Sequence, residues 1–266
     1  MKTNRFLLAA GVSLALAFIF SCSTDTEDNN NSQSSHDVTP GDIIPGPLCS
    51  STNIPANHVC DDRDGKIELY KEVTIDGPYG SQIWMARNLN YNANGSFCYG
   101  DDPANCNTYG RLYDWAIAMN LHISCNNSFC SSQMSPRHKG ICPSGWHIPS
   151  SEEWNILLEN VVVGNKLKAA NGWPGCDPFN DPYGHDYCTD EYGFSALPAG
   201  HAQRPGPYNS YEKGSYTYWW TQVESHVSIS NPYYADVIKM DMTPYGFGSA
   251  SKDKTYFHSI RCIKDL

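Results

Sequence analysis

The sequence predicts an α+β domain, with two main helices packed on small, mostly antiparallel sheets and long loops stapled by disulfides. Three observations carry this. One stretch, Ile141–Leu158, joins an ordered turn to a strongly signalled helix start. Several short alternating segments, far apart in the chain, have strand character. Between them run loops rich in Gly, Pro and Cys, in a chain that opens with an export signal.

The central stretch reads ICPSGWHIPSSEEWNILL. Gly145 permits a tight turn before Trp146, and Pro149 ends the loop. Ser150 stands at the N-cap position with Glu153 three residues on, the spacing of a capping box. Glu152 and Glu153 fall in the first turn, where the helix dipole stabilises acids. Trp154, Leu157 and Leu158 give one apolar face, and the helix is expected to run to about Val163. His147 is read as a hydrogen-bonded structural histidine rather than a base. A second helix is expected over Tyr109–Asn120, with Leu112, Trp115, Ala116 and Met119 facing the core. Lys166–Ala170 reads as a further helical turn. Strands are expected at Lys66–Ile75, Gln82–Leu89, Ser215–Thr221, Ala235–Met242 and His258–Ile263. Asp61-Asp62-Arg63-Asp64-Gly65 lacks the repeated acids and the distal acid of a calcium loop, so it reads as the turn opening a hairpin.

The first residues give the address. Lys2 and Arg5 precede an apolar run, Phe6–Phe20, of secretory-signal length and short of a membrane span. It ends at Ile19-Phe20-Ser21-Cys22-Ser23, which resembles a lipobox and implies lipid on Cys22; Phe20 departs from the usual small or aliphatic residue. Plain secretion and an uncleaved anchor are the alternatives. The expected division is a signal peptide over 1–21, a disordered tether over 22–48 and a folded domain over 49–266. The tether is polar, acidic and Pro/Gly-rich, with almost nothing to bury. The whole chain has a net charge of −10, and cleavage would leave 16 basic against 28 acidic residues. No basic run or basic aromatic stripe occurs, which argues against nucleic acid as a partner. Membrane attachment is expected through the lipid alone.

Eleven cysteines are present, and with Cys22 set aside ten remain for up to five bridges. Connectivity does not follow from spacing alone. Pairing near neighbours gives Cys49–Cys60, Cys98–Cys106, Cys125–Cys130 and Cys176–Cys188, which leaves Cys142 with Cys262. That last loop spans about 120 residues, worth on the order of 4–5 kcal/mol on a chain-entropy estimate.

Several segments together carry a resemblance. DGKIELYKEVTI, QIWMARNLNY, CYGDDPANC, YGRLYDWAIAM, ICPSGWHIPSSEEWNIL, KLKAANGW, DEYGFSALPAG, YWWT and SIRCIKDL occur in this order over about residues 61–266. The chain resembles the Fibrobacter succinogenes major paralogous domain family, exported and mostly lipid-anchored bacterial surface proteins. The resemblance implies an outer-membrane, surface-exposed location. A more distant similarity links Trp146-His147-Ile148-Pro149 through Glu153-Trp154, with Arg261-Cys262-Ile263, to the signatures of formylglycine-generating-enzyme-like domains. His147 stands where that signature has Arg, and Ser150 where it has Thr. This similarity implies a C-type-lectin-like architecture.

The candidate chemistry is weighed last. Formylglycine generation needs a redox-active cysteine pair, and here every cysteine after Cys22 has a structural partner in the proposed scheme. The nine histidines show no H-x3-H-x-E spacing, and G-x-S-x-G is absent. No catalytic residue is assigned. Tyr208, Tyr211, Tyr216, Tyr218, Trp219, Trp220, Tyr233 and Tyr234 form the candidate ligand-binding set, since aromatic faces stack on sugar rings. Trp219 and Trp220 must point to opposite faces of a strand, so one is expected in the core and the other exposed. No cofactor is expected, with calcium at Asp177, Asp181, Asp186 and Asp190 as the one metal candidate. The expected function is non-catalytic binding of polysaccharide or another envelope component. An enzyme on the same scaffold and a structural or protein-interaction module are the alternatives. Oligomeric state is not legible.

Overall fold

A computed structural model describes Cys49 and residues 54–174, 176, 188–204, 206–225 and 231–266. The signal, the tether, Asp177, Asp181 and Asp186 lie outside them. All described residues fall in one compact unit, Pro45–Leu266. The strands are β1 (His58–Asp61), β2 (Glu68–Ile75), β3 (Gln82–Met85), β4 (Trp146–His147), β5 (His201–Ala202), β6 (Ser210–Tyr211), β7 (Tyr216–Glu224), β8 (Tyr234–Asp241), β9 (Phe247–Asp253) and β10 (Ile263–Lys264). The helices are α1 (Pro103–Tyr109), α2 (Trp115–Ala118) and α3 (Ser151–Val161).

Three antiparallel sheets result: β1-β2-β3-β10-β4, the pair β5-β6, and β7-β8-β9. The turn joining β1 to β2 is the Asp61–Gly65 segment. Gly65 has φ +77° and its N–H donates to the Asp62 carbonyl at 3.0 Å. The next turn is held from outside. The Asn160 side chain accepts from Tyr79 N and donates to Gly80 O, so the end of α3 fastens the β2–β3 connection.

α3 starts as its sequence demands. Ser150 Oγ accepts from Glu153 N at 3.1 Å, and Glu153 Oε2 accepts from Ser150 N at 2.9 Å. Its buried face is Trp154, Leu157 and Val161. Trp154 packs on Trp84 at 4.6 Å and stacks on Trp219 at 5.4 Å. His147 is buried on β4, with Nδ1 2.6 Å from Asp265 and Nε2 2.9 Å from Glu153. The helix start, β4 and the residues after β10 are thereby clamped together. Cys142 bonds Cys262 across the same place, and the chain also pairs Cys49–Cys60, Cys98–Cys106, Cys125–Cys130 and Cys176–Cys188.

The helix expected over Tyr109–Asn120 is not continuous. Gly110, at φ +78°, ends α1, and a Cβ there would meet the Leu89 carbonyl at 2.8 Å. Leu112 and Tyr113 then bridge to Phe97 and His258. Asp114 caps a single new turn, accepting from Ile117 N at 2.9 Å. Leu112, Trp115, Ala116 and Met119 are nonetheless all buried. The expected strand His258–Ile263 is likewise reduced to β10, with isolated bridges at His258 and Ser259.

The core lies in two main clusters on either side of β7. Tyr218 and Trp220 join one with Trp115, Trp146 and Ile260, while Trp219 joins the other with Trp84, Trp154 and Phe194. This corrects the expectation for the tryptophan pair. Both Trp219 and Trp220 are fully buried, because β7 is covered on both faces. Each indole N–H has a partner, Asn88 Oδ1 for Trp219 and the Tyr113 carbonyl for Trp220, both at 2.8 Å.

Candidate ligand-binding site

The eight aromatic candidates fall into three groups. Tyr218, Trp219 and Trp220 are buried and present no stacking face to solvent. Tyr208, Tyr211 and Tyr216 gather around the β5–β6 hairpin and the start of β7. Tyr233 and Tyr234 are exposed at the other end of the β7–β8 ribbon. Tyr216 pairs with Asp241, and Tyr234 lies seven positions back along β8, roughly 23 Å at about 3.3 Å per residue. The two exposed groups therefore belong to different patches.

The hairpin is built locally. His201 pairs with Tyr211 and Ala202 with Ser210. Gly200, at φ +69°, is required, since a Cβ there would meet Lys213 N at 2.7 Å and the Tyr99 ring at 2.8 Å. Tyr208 is 83 % exposed and its hydroxyl donates to Asp101 at 3.3 Å. Gly100 N donates to Ser210 Oγ at 3.1 Å, and Lys213 Nζ to Asn105 Oδ1 at 3.1 Å. Lys213 also lies over the Tyr99 ring at 5.1 Å. The segment Tyr99–Asn105 thus buttresses the hairpin from one side.

Beneath the hairpin is a cluster that the sequence did not single out. Glu212 Oε2 accepts from the Tyr218 hydroxyl at 2.8 Å and lies 3.2 Å from His201 Nδ1, outside hydrogen-bond geometry. The His201 ring is 5.7 Å from that of His258 and stacks on Tyr256 at 6.0 Å. His258 is fully buried, and neither ring nitrogen has a protein partner. Burial pushes the His201 pKa down, Glu212 opposes that, and Lys252 adds to it. Burial, His201 and Lys252 together hold His258 well below its usual range. Both rings are therefore biased toward the neutral form. Burial and the Glu212 carboxylate raise the Tyr218 phenol. His201 and Glu212 are brought together by the β5–β6 hairpin, and His258, 46 residues beyond Glu212, joins them only through tertiary pairing such as that with Tyr113; no local motif marks the three.

One face of β7-β8-β9 continues this surface. Tyr216 stacks on Tyr218 at 6.2 Å, Lys239 lies 4.7 Å over Tyr216, and Lys252 4.9 Å over Tyr218. Gly248 pairs with Lys239, and a Cβ added there would meet open space. The result is an amphipathic shelf in which half-buried Tyr216 is the accessible ring, edged by ammonium and carboxylate groups and backed by buried Tyr218, suited to contact with a hydroxylated ligand. At the far end, a groove of about 480 Å³ is lined by Phe129, Met134, Pro136 and Val223. Ser225, also on its wall, donates its N–H to Tyr234 O.

Among the described residues no three His, Cys, Asp or Glu side chains are placed to hold a metal. Of the calcium candidates, Asp190 is described, and its carboxylate accepts from Ser195 N at 2.7 Å and Ser195 Oγ at 2.6 Å. No described helix is long and apolar enough to cross a membrane.

The model of the Fibrobacter succinogenes major domain matches residues 78–264. No curated protein and no solved structure matches the chain.

Proposed function

We propose, from the premise that this chain belongs to the Fibrobacter succinogenes major domain family, that it is a non-catalytic binding protein of the cell envelope. In this reading Cys22 carries lipid, the tether projects the domain from the outer membrane, and a C-type-lectin-like domain takes polysaccharide or another envelope component. The binding surface is the tyrosine hairpin with its adjoining shelf. What supports the reading is the grouping of exposed Tyr208 and Tyr211 with half-buried Tyr216, which packs against the core on its inner side, next to the Asp101 and Glu212 carboxylates that accept from the Tyr208 and Tyr218 hydroxyls. Stacking of sugar on such rings is worth about 1 kcal/mol each, so several together give useful affinity.

Retention on insoluble cellulose and on a glycan array tests this. The double variant Tyr208→Ala/Tyr211→Ala is expected to weaken binding about tenfold without changing the unfolding midpoint. No retention of the folded wild-type protein on either support would sink the carbohydrate version. The His201–Glu212–Tyr218 cluster beside the unpartnered His258 favours a second reading, an enzyme using the same surface. Turnover of a bound glycan that is lost in His201→Ala, with binding retained, would decide for it.

A further inference from the structure

Arg111 is placed unusually. Its Nε donates to Ser96 Oγ at 2.9 Å and its Nη2 to Ser96 O at 2.8 Å, which fixes the guanidinium plane. The remaining nitrogen, Nη1, lies 3.8 Å from Cys98 Sγ and 3.7 Å from Cys106 Sγ. Among the described residues Arg111 has no carboxylate partner. A half-buried cation held by neutral acceptors is thus aimed at both atoms of one disulfide. The other described bridges differ. The sulfurs of Cys125–Cys130 meet the neutral Ser128 and Gln133. Near Cys142–Cys262, Arg63 is paired with Asp61 and donates to main-chain carbonyls rather than to sulfur.

We propose that Cys98–Cys106 is a thiol–disulfide exchange site, poised by Arg111 to accept two electrons from an external dithiol and thereby to release the tyrosine hairpin. A thiolate of the dithiol attacks one sulfur and the Cys98–Cys106 bond breaks. The departing cysteine sulfur leaves as a thiolate against the Arg111 guanidinium. The second thiol of the donor then loses its proton and attacks the mixed disulfide. That frees the other cysteine and leaves the donor oxidised. A cation beside the leaving sulfur speeds the first step and stabilises the reduced pair, so the bridge becomes more oxidising than its neighbours.

The loop that this bridge closes carries Tyr99, Gly100, Asp101 and Asn105. These four hold Ser210, Tyr208 and Lys213 of the hairpin. Opening the bridge loosens the buttress rather than the core, because Cys98 and Cys106, although buried, belong to none of the apolar clusters. The exchange chemistry is independent of whether the hairpin binds sugar.

The test is equilibration of the full chain in graded dithiol buffers, followed by acid quench, alkylation and peptide mapping. Equilibrium removes the advantage of the more exposed Cys49–Cys60 bridge, which only reacts faster. Cys98–Cys106 is expected to open at the most oxidising poise of the five. Arg111→Gln should shift its exchange constant about tenfold toward the disulfide, equivalent to roughly 30 mV, and Arg111→Lys should shift it less. Hydrogen exchange over 208–213 should rise on opening. A different bridge opening first, or equal constants in wild type and Arg111→Gln, overturns the proposal. If Arg111→Gln fails to fold, Cys106→Ser provides the second measurement. Its free Cys98 should ionise below the ordinary thiol value of about 8.5, and ionisation at or above that value overturns the proposal equally.

Discussion

His147 is the most constrained side chain of the clamp. Burial opposes its charge, but the hydrogen bonds to Glu153 and Asp265 outweigh burial and raise its pKa above 6.5. Burial pushes Glu153 up, and its bonds to His147 and Ser150 pull it below 4.5. The two contributions have opposite signs in pH. The His147 term is complete below about 6.5 and lost as pH rises through its folded value. The Glu153 term is complete above about 4.5 and lost as pH falls through its folded value. The clamp is therefore strongest in the mildly acidic range between them. His147→Gln should flatten the fall in unfolding free energy between pH 6 and 9, by about 1 kcal/mol at most, because Asp265 is half exposed and screened. A parallel fall in both proteins would assign the pH dependence elsewhere. Glu224 is a different case. It accepts from Cys130 N and Ser131 N and pairs with fully buried Lys254, which also donates to the Cys125 and Ser128 carbonyls. Glu224→Ala leaves a buried ammonium without its counter-ion and should cost about 3 kcal/mol or more in denaturant unfolding.

At the scale of the element, legibility follows from how local the cause is. The start of α3 was legible because a capping box is decided by four consecutive residues, and the reciprocal bonds of Ser150 and Glu153 form as spaced. Ser150→Ala is expected to cost about 1 kcal/mol, read as a lower denaturation midpoint at unchanged m-value. The segment 109–120 misled because its apolar spacing is that of a helix face, while Gly110 and Asp114 divide it. Those two residues were the available signals, a positive-φ stop and a new cap. β9 was missed because FGSASKD has few β-forming residues; it is a strand by pairing with β8 on one side. The tryptophan pair failed for a related reason. Alternation places Trp219 and Trp220 on opposite faces of β7, but only the tertiary fold says that both faces are covered.

For the whole molecule, the sequence supplied the family and the α+β class, and the hairpin tyrosines stand within its longer list of candidates. It could not supply His201, Glu212 and His258 as a group, since the β5–β6 hairpin has only two-residue strands and His258 joins from 46 residues beyond Glu212, which leaves no local pattern. The bridges make a countable prediction. Denatured, unreduced protein carrying lipid on Cys22 should show no free thiol, and two or more would contradict the pairing scheme. Cys142→Ser/Cys262→Ser should lower stability by about 4 kcal/mol in unfolding experiments. The order of the first sheet adds a consequence for biogenesis. β10 is inserted between β3 and β4, and Cys142 must wait for a partner 120 residues downstream while Cys176 and Cys188 emerge in between. An oxidant that joins cysteines in order of appearance would trap Cys142 with the wrong neighbour. Oxidative folding of the purified, reduced chain is therefore expected to need a disulfide isomerase, with a sharply lower yield of the five native bridges when only an oxidant is present.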